Sequence, residues 1–181
     1  MQLPPYNVFP TLYSDRIILR EITPSDLTDI LEISVYDGQQ ATNTAEALEI
    51  LRRIERDYQN GDSVHWGIAD KSSNVIVGTC GYYRGLKDGT GELGCVLLPA
   101  FEGKGFMTEA MRSAIDFGWQ HMKLQQIIAI TSSLNLKALA LLERLHFLQV
   151  TDESSFSAIQ KRVPGLTAEA LLYLLTRRID L

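Results

Sequence analysis

The sequence predicts a single α/β domain, residues 1–181, with a mixed, mainly antiparallel sheet flanked by helices. Its 181 residues, 45% of them hydrophobic and 22% charged, are enough for one sizeable core and require no second one. Apolar residues recur with period two in some segments and at three- and four-residue intervals in others. This alternation, uninterrupted by repeats or low-complexity sequence, is typical of a domain that combines strands with helices.

In the first half of the chain, period-two patterns predict strands at 15–20, 64–70 and 74–83. The turn-like residues 71–74 separate the second strand from the third and predict a hairpin. A helix is predicted where Thr23 and Pro24 supply a cap and a first-turn proline. A second helix is predicted from near Thr44 to Asn60, where Gly61 stops it.

In the second half, a turn-rich connection at 85–91 leads into a fourth strand at 92–98. An amphipathic stripe from Met107 to Met122 predicts a helix, and a fifth strand is expected at 126–131. The next helix, 136–145, is apolar almost all round, so we expect it to be largely buried. Beyond it the pattern predicts a strand at 148–151, a long connection at 154–169, and a segment at 170–178 that fits helix or strand.

Charge and composition exclude some classes of protein. A net charge of -5 gives no electrostatic case for nucleic-acid binding, but it suits a cationic partner such as an amine. The N-terminus lacks the pattern of a signal peptide, and no run approaches ~18 apolar residues, so we expect a cytoplasmic protein with no membrane partner. Cys80 and Cys95 lack the spacing of metal ligands and are expected to be buried small hydrophobes, with no metal site.

Two glycines surround Lys104 where the fourth strand gives way to a helix. The first backbone N–H groups of a helix lack intrahelical partners and carry partial positive charge, so Gly103 and Gly105 could let a phosphate approach them closely. Lys104 and Thr108 could add a charge and a hydroxyl. A tight turn that packs a helix onto a sheet is the alternative. The chain lacks both the P-loop and the Rossmann glycine patterns, which indicates a different diphosphate.

Residues 96–110, VLLPAFEGKGFMTEA, resemble the GNAT superfamily of acetyl-coenzyme A-dependent N-acetyltransferases. Within it they are most similar to the branch that acetylates ribosomal-protein N-termini. Further matches follow in family order: RIILREITPSD at 16–26, IVGTCG at 76–81, and Asn135 with Glu143 and Phe147. Four matches in order are far more specific than one pair of glycines.

The resemblance implies acetyl-coenzyme A as cosubstrate and a sheet that splays apart between the fourth and fifth strands to admit the pantetheine arm. It implies that a backbone N–H of Leu97 or Leu98 holds the oxyanion of the tetrahedral intermediate. The residues expected to bind the cofactor are Val96, Leu97, Leu98, Glu102, Gly103, Lys104, Gly105, Phe106, Met107, Thr108, Asn135 and Lys137. For Asn135 a plain helix cap is the alternative.

The catalytic candidates are Glu92 and His146. Glu92 resembles the general base of many of these enzymes, and a solvent-exposed glutamate at the strand edge is the alternative. Ala138 and Leu142 stand where the family usually has a hydroxyl that protonates the leaving thiolate. His146 replaces a usual glycine and is either a surface residue or a substitute proton relay. A thiolate with pKa near ~8.5 can leave without a proton donor.

The acceptor follows from the cost of forming a neutral amine. At pH 7 deprotonation costs about 4.6 kcal/mol for a lysine with pKa ~10.4, but roughly 1.4 kcal/mol for an α-amine with pKa near ~8. We therefore expect direct transfer of acetyl to a protein N-terminal amine in a ternary complex. A small-molecule amine and a catalytically weak coenzyme A-binding module are the alternatives, and a homodimer is a further expectation.

Overall fold

An eight-stranded sheet lies at the centre of the computed structural model, which describes residues 1–36, 38–161 and 170–177. Within those residues the strands are β1 (Leu12–Tyr13), β2 (Ile17–Arg20), β3 (Val35–Tyr36), β4 (Gln39–Gln40), β5 (Val64–Asp70), β6 (Ile76–Tyr82), β7 (Thr90–Leu97), β8 (Gln126–Thr131), β9 (Leu148–Gln149) and β10 (Leu171–Thr176). The order in the large sheet is β1-β2-β5-β6-β7-β8-β10-β9, and β3 pairs with β4 separately.

The mixed, mainly antiparallel sheet is confirmed. The neighbours in the large sheet run antiparallel except β7 and β8, which are parallel. β7 and β8 pair only from Thr90 opposite Gln126 to Glu92 opposite Ile128, although β7 continues to Leu97 and β8 to Thr131. The two strands therefore separate beyond Glu92, which confirms the predicted splay.

The helices are α1 (Thr44–Gln59), α2 (Phe106–Phe117), α3 (Leu136–Arg144) and α4 (Glu153–Gln160) within the described part of the chain. Apolar residues of α2 and α3 share one core cluster with Trp66 and Tyr82. Tyr58 near the end of α1 joins this cluster, but other residues of α1 and those of α4 pack elsewhere, for example Ala47 against Ala69 and Ile159 against Ile128. Because successive strand residues face opposite sides, α2 and α3 cover one face of the sheet and α1 and α4 the other.

The segment after Thr23 does not form the predicted helix. It forms two short 3₁₀ turns, Pro24–Asp26 and Leu31–Ile33. The Asp26 carboxylate accepts hydrogen bonds from the backbone N–H and hydroxyl of Thr23 and from Arg20. These local contacts favour a tight turn over a continuing helix.

The prediction that 136–145 is largely buried is wrong. Within α3, Leu142 is the buried residue, whereas Leu136 is 72% exposed. Ala138, Ala140 and Leu141 of α3 instead line a cleft. The apolar residues around this helix are therefore not all covered by other parts of the protein.

Near the C-terminus, the observed elements differ from the predicted segments. Glu153–Gln160 is helical, where a connection was predicted, and residues 162–169 lie outside the described residues. The ambiguous segment contains strand β10, and the strand expected at 148–151 is only two residues long. None of the helices in residues 1–36, 38–161 and 170–177 is long and apolar enough to cross a bilayer.

Candidate functional site

A cleft of about 1390 Å³ opens between α2 and α3, at the end of β7. The residues predicted to bind the cofactor that line this cleft are Val96, Leu97, Glu102, Gly103, Gly105, Met107, Thr108, Asn135 and Lys137. The predicted residues Leu98, Lys104 and Phe106 are not in its lining. The cleft is larger than the ~300–1,000 Å³ of most small-molecule pockets, so it has room for a large ligand.

The glycine loop has the backbone conformation that glycine allows. Gly103 has φ 72° and Gly105 has φ 85°, both in the left-handed region, and Gly105 precedes the first residue of α2. In the described part of the chain, the backbone N–H groups from Gly103 to Thr108 donate to no protein acceptor. Six consecutive unused donors at the start of a 12-residue helix can hold a diphosphate.

Arg16 fixes this loop from β2's side of the sheet. Its Nη1 donates to the carbonyl oxygen of Lys104 at 2.7 Å, and its Nε donates to Oε2 of Glu109 at 3.0 Å. Ser14 donates to the other oxygen of the same carboxylate at 2.6 Å. Partial burial works against ionisation of Glu109, but the hydrogen bonds from Ser14 and Arg16 outweigh it and lower its pKa. A Cβ at Gly105 would lie 2.9 Å from Nη2 of Arg16, so glycine leaves room for this clasp.

Lys104 and Phe106 do not line the cleft, and each takes part in a cation–π contact. The Lys104 ammonium lies 5.1 Å from the centre of the Phe101 ring, and the Arg16 guanidinium lies 5.3 Å from the centre of the buried Phe106 ring. Lys104 is therefore placed at the rim, where its charge is exposed. Phe106 packs the start of α2 onto the core.

The two candidate oxyanion donors on β7 differ. The N–H of Leu98 donates to the carbonyl of Val77 on β6 at 2.9 Å, so it is already used. Leu97 alternates with it and stands opposite Gly78 in the register. In an antiparallel ladder alternate residues turn their N–H groups to opposite sides, so the N–H of Leu97 points away from β6 into the splay. Of these two N–H groups, that of Leu97 is therefore the one turned towards the splay.

Glu92 lies on the other face of the sheet from α2. It alternates with Leu93, which packs in the α2 core, and it does not line the cleft. The side chain is buried, with the residue 9% exposed, and Oε2 lies 2.9 Å from Nε of Arg84. Burial rules out the alternative of a solvent-exposed glutamate. The carboxylate stands at the last β7–β8 pair, where the splay begins.

Three aromatic rings lie on the same face as Glu92. The rings of Tyr36 and Tyr83 contact that of His65 edge-on, with centroids 5.9 and 5.2 Å away. Nδ1 of His65 has no hydrogen-bond partner in the described residues, and burial lowers the His65 pKa to about 4. This histidine is therefore neutral at physiological pH.

His146 lies outside the cleft. It follows α3 with φ 63°, is exposed, and its N–H donates to the carbonyl of Glu143 at 2.9 Å. A left-handed residue after a helix is usually glycine, which explains why the resemblance led us to expect one here. The position supports a helix-ending role better than a proton relay.

Asn135 and its neighbours form the α3 side of the cleft. Oδ1 of Asn135 accepts a hydrogen bond from the N–H of Ala138 at 3.1 Å, so this residue caps α3. Nζ of Lys137 contacts the Glu102 carboxylate across the cleft. Ala138 lines the cleft, whereas Leu142 is buried in the core. Neither of these two residues offers a hydroxyl.

The cysteines differ in position. Cys80 is buried and lies opposite Cys95 in the β6–β7 register, while Cys95 is half-buried and lines the cleft. Burial raises the pKa of both thiols, that of Cys95 to about 12. Both are therefore protonated at neutral pH, which makes them poor nucleophiles.

Sequence reasoning missed three arginines of the cleft, Arg16, Arg112 and Arg144. Arg112 lies four residues after Thr108, so helical periodicity could have placed it on the cleft face of α2. For Arg16 no local signal exists, because its partner Glu109 is 93 residues away in the chain.

Comparisons with known proteins agree with this arrangement. The family described as "Acetyltransferase (GNAT) domain" matches residues 16–148. An uncharacterized N-acetyltransferase of Bacillus subtilis, YoaA, is 27% identical over 148 residues, which cover 77% of this chain and 84% of YoaA.

Two solved structures share the fold. A RimL ribosomal L7/L12 alpha-N-protein acetyltransferase in complex with coenzyme A superposes with a TM-score of 0.75 at 14% identity, covering 92% of this chain and 98% of the other. A spermidine N-acetyltransferase from Vibrio cholerae gives a TM-score of 0.67 at 18% identity, covering 89% and 94%.

Proposed function

From the premise that the chain belongs to the GNAT acetyltransferase family, we propose that it transfers acetyl from acetyl-coenzyme A to a protein N-terminal α-amine. It is an acetyl-coenzyme A-dependent N-acetyltransferase; the acceptor and the roles of individual residues are the proposal. The observation that carries it is the row of unused N–H groups at 103–108, beside the point where β7 and β8 separate.

The cleft residues fit the cosubstrate. The amides from Gly103 to Thr108 hold the diphosphate, and the separated edges of β7 and β8 leave room for the pantetheine arm. Val96 and Leu97 line that passage, and Asn135 lies on its α3 side. The bound cosubstrate supplies an activated thioester carbonyl. The amide side chain of Asn135 has a donor left for pantetheine after its oxygen has capped α3.

The chemistry requires one donor and one base on opposite sides of the thioester. The N–H of Leu97 donates to the developing oxyanion from within the splay. Glu92 faces the side of the sheet opposite α2 and α3, so it accepts the proton of an amine that arrives from that side, directly or through a water. The thiolate leaves without a dedicated acid, since its pKa of ~8.5 requires little assistance.

The acceptor class rests on the free energy of deprotonation and on the resemblance to enzymes that act on ribosomal-protein N-termini. At pH 7 the free energy of deprotonation is about 3 kcal/mol lower for an α-amine than for a lysine-like primary amine, so the neutral nucleophile is more abundant. The net charge of -5 favours a cationic acceptor in either case. The solved neighbours act on both kinds of amine, since one is named for a ribosomal protein and one for spermidine.

A competition assay tests the proposal. Peptides with a free α-amine, the same peptides with a blocked N-terminus and an internal lysine, and spermidine would be incubated with acetyl-coenzyme A while free thiol is measured. We expect the free α-amine to give the highest kcat/KM. A higher value for spermidine would assign a small-amine acceptor. If acetyl-coenzyme A binds but no acceptor causes release of its thiol, the protein is a coenzyme A-binding module and not an enzyme for these amines. Self-association remains a prediction that light scattering can check.

A further inference from the structure

Two arginines line the cleft from its two flanking helices and, unlike Arg16, make no hydrogen bond to the glycine loop. Arg112 on α2 and Arg144 on α3 both line it. Nη1 of Arg144 donates to Oγ1 of Thr108 at 3.2 Å. Arg112 lies one helical turn after Thr108, on the same face of α2. The two guanidinium groups therefore flank the cleft just beyond the first turn of α2.

The other cations of the cleft have acidic partners. Arg16 pairs with Glu109, and Lys137 contacts Glu102. Among residues 1–36, 38–161 and 170–177, Arg144 has only the Thr108 hydroxyl, and Arg112 has neither a hydrogen bond nor an ion pair. Two arginines without carboxylate partners, in a chain of net charge -5, form a local site for an anion.

Asp116 limits where that anion can bind. It also lines the cleft, one helical turn after Arg112. Its carboxylate would repel an anion placed farther along α2. The favourable position is therefore between Arg112, Arg144 and the first turn of α2.

We infer that Arg112 and Arg144 bind the 3′-phosphate of coenzyme A. The inference rests on the proposed function, because it takes the diphosphate to lie on the amides from Gly103 to Thr108. The 3′-phosphate and the 5′-diphosphate are carried by the same ribose, so they must bind within about one helical turn, roughly 6 Å, of each other. Arg112 stands at that spacing from the first turn. The pair makes the enzyme select coenzyme A over dephospho-coenzyme A.

Calorimetric titration with coenzyme A and dephospho-coenzyme A tests this, since the two ligands differ only in the 3′-phosphate. We expect the wild type to bind coenzyme A about 10- to 100-fold more tightly. Arg112→Ala and Arg144→Ala should each weaken coenzyme A binding by about 5- to 10-fold and leave dephospho-coenzyme A unchanged. The double variant should bind both ligands equally.

Two controls separate charge from structure. Arg112→Lys with Arg144→Lys keeps both charges and should retain most of the preference. Arg56→Ala removes an exposed arginine of α1, on the opposite face of the sheet, and should change neither affinity. Dephospho-coenzyme A affinity also reports whether the cleft is intact in each variant.

Equal wild-type affinity for the two ligands would overturn the inference and leave the proposed function standing. So would arginine variants that weaken both ligands to the same degree. If the folded wild type binds neither ligand, the proposed function fails and the inference fails with it.

Discussion

Glu92 is the residue on which the proposed chemistry depends most, since its carboxylate accepts the proton of the attacking amine. Glu92→Gln keeps the size of the side chain and one acceptor oxygen, but it removes the basicity and the negative charge beside Arg84. We expect turnover at neutral pH to fall by ~10² to 10⁴, with acetyl-coenzyme A affinity within a few-fold of the wild type. Steady-state kinetics and calorimetry measure the two quantities.

The pH dependence separates a base from a positioning residue. The loss in Glu92→Gln should shrink as pH approaches the pKa of the amine, because solution then supplies the neutral nucleophile. A constant ratio of wild-type to variant rates over that range would leave Glu92 as the structural partner of Arg84, from which Oε2 lies 2.9 Å.

His146 gives a prediction about stability. Its φ of 63° is costly for a residue with a side chain but not for glycine. His146→Gly should raise the free energy of unfolding by about 0.5–1 kcal/mol, since relief of strain exceeds the added entropy of the unfolded chain. Urea denaturation measures this, and kcat should not change. A large loss of kcat in the more stable variant would restore the relay role.

At the scale of elements, the Arg16 side chain links the start of β2 to both the glycine loop and α2, and Ser14 adds a hydrogen bond to Glu109 of α2. Arg16→Met removes the side-chain hydrogen bonds to the Lys104 carbonyl and to Glu109, while the backbone N–H of residue 16 still donates to Glu109. We expect stability to fall by ~1 kcal/mol, since Arg16 is half-exposed, and coenzyme A affinity to fall about 10-fold because the loop must be ordered on binding.

Arg52→Met is the matched control for Arg16. It breaks an exposed ion pair with Glu49 within α1, so neither stability nor affinity should change measurably. Reduced stability with unchanged coenzyme A affinity in Arg16→Met would mean that the clasp supports the fold without organising the loop.

Elements with strong local patterns were predicted correctly from sequence. The long strands β5 and β6, helix α1 and helix α2 lie close to their predicted bounds, because each has a clear apolar period and local stop signals. The turns after Thr23 were mispredicted because the Asp26 contacts with Arg20 and Thr23 override the apolar spacing. The exposure of α3 could not be foreseen, since periodicity does not distinguish a protein core from a cleft.

The candidate site was predictable where it lies in short segments that resemble the family's motifs, the glycine loop and the start of α3 with Asn135 and Lys137. The loop from Glu102 to Thr108 follows the quoted motif, and most of it lines the cleft. The choice of Leu97 over Leu98 required the register of β6 and β7. The Arg16 clasp and the position of Arg144 beside Thr108 join distant segments, so no local pattern could indicate them.

At the scale of the whole molecule, His65 links stability to pH. Burial lowers its pKa from 6.5 to about 4, so between these values the unfolded chain binds a proton that the folded protein does not. The contribution is full above pH ~6.5 and is lost progressively as pH falls towards 4, by up to about 3 kcal/mol.

Urea denaturation at pH 7.5 and pH 5 would measure this loss. In His65→Phe, which keeps a ring beside Tyr36 and Tyr83, the difference between the two pH values should largely disappear. A variant with an unchanged difference would place the proton uptake at other groups.

Direct transfer of acetyl from coenzyme A to an amine is tested by following a labelled acetyl group in a single turnover. Enzyme and acetyl-labelled acetyl-coenzyme A would be mixed with and without a peptide that has a free α-amine, and peptide and protein would be separated before the label is counted. We expect label on the peptide α-amine, none on the protein when peptide is absent, and one thiol released per acetyl transferred. Label on the protein without acceptor, or intact acetyl-coenzyme A in the presence of every amine offered, would contradict direct transfer through the splay.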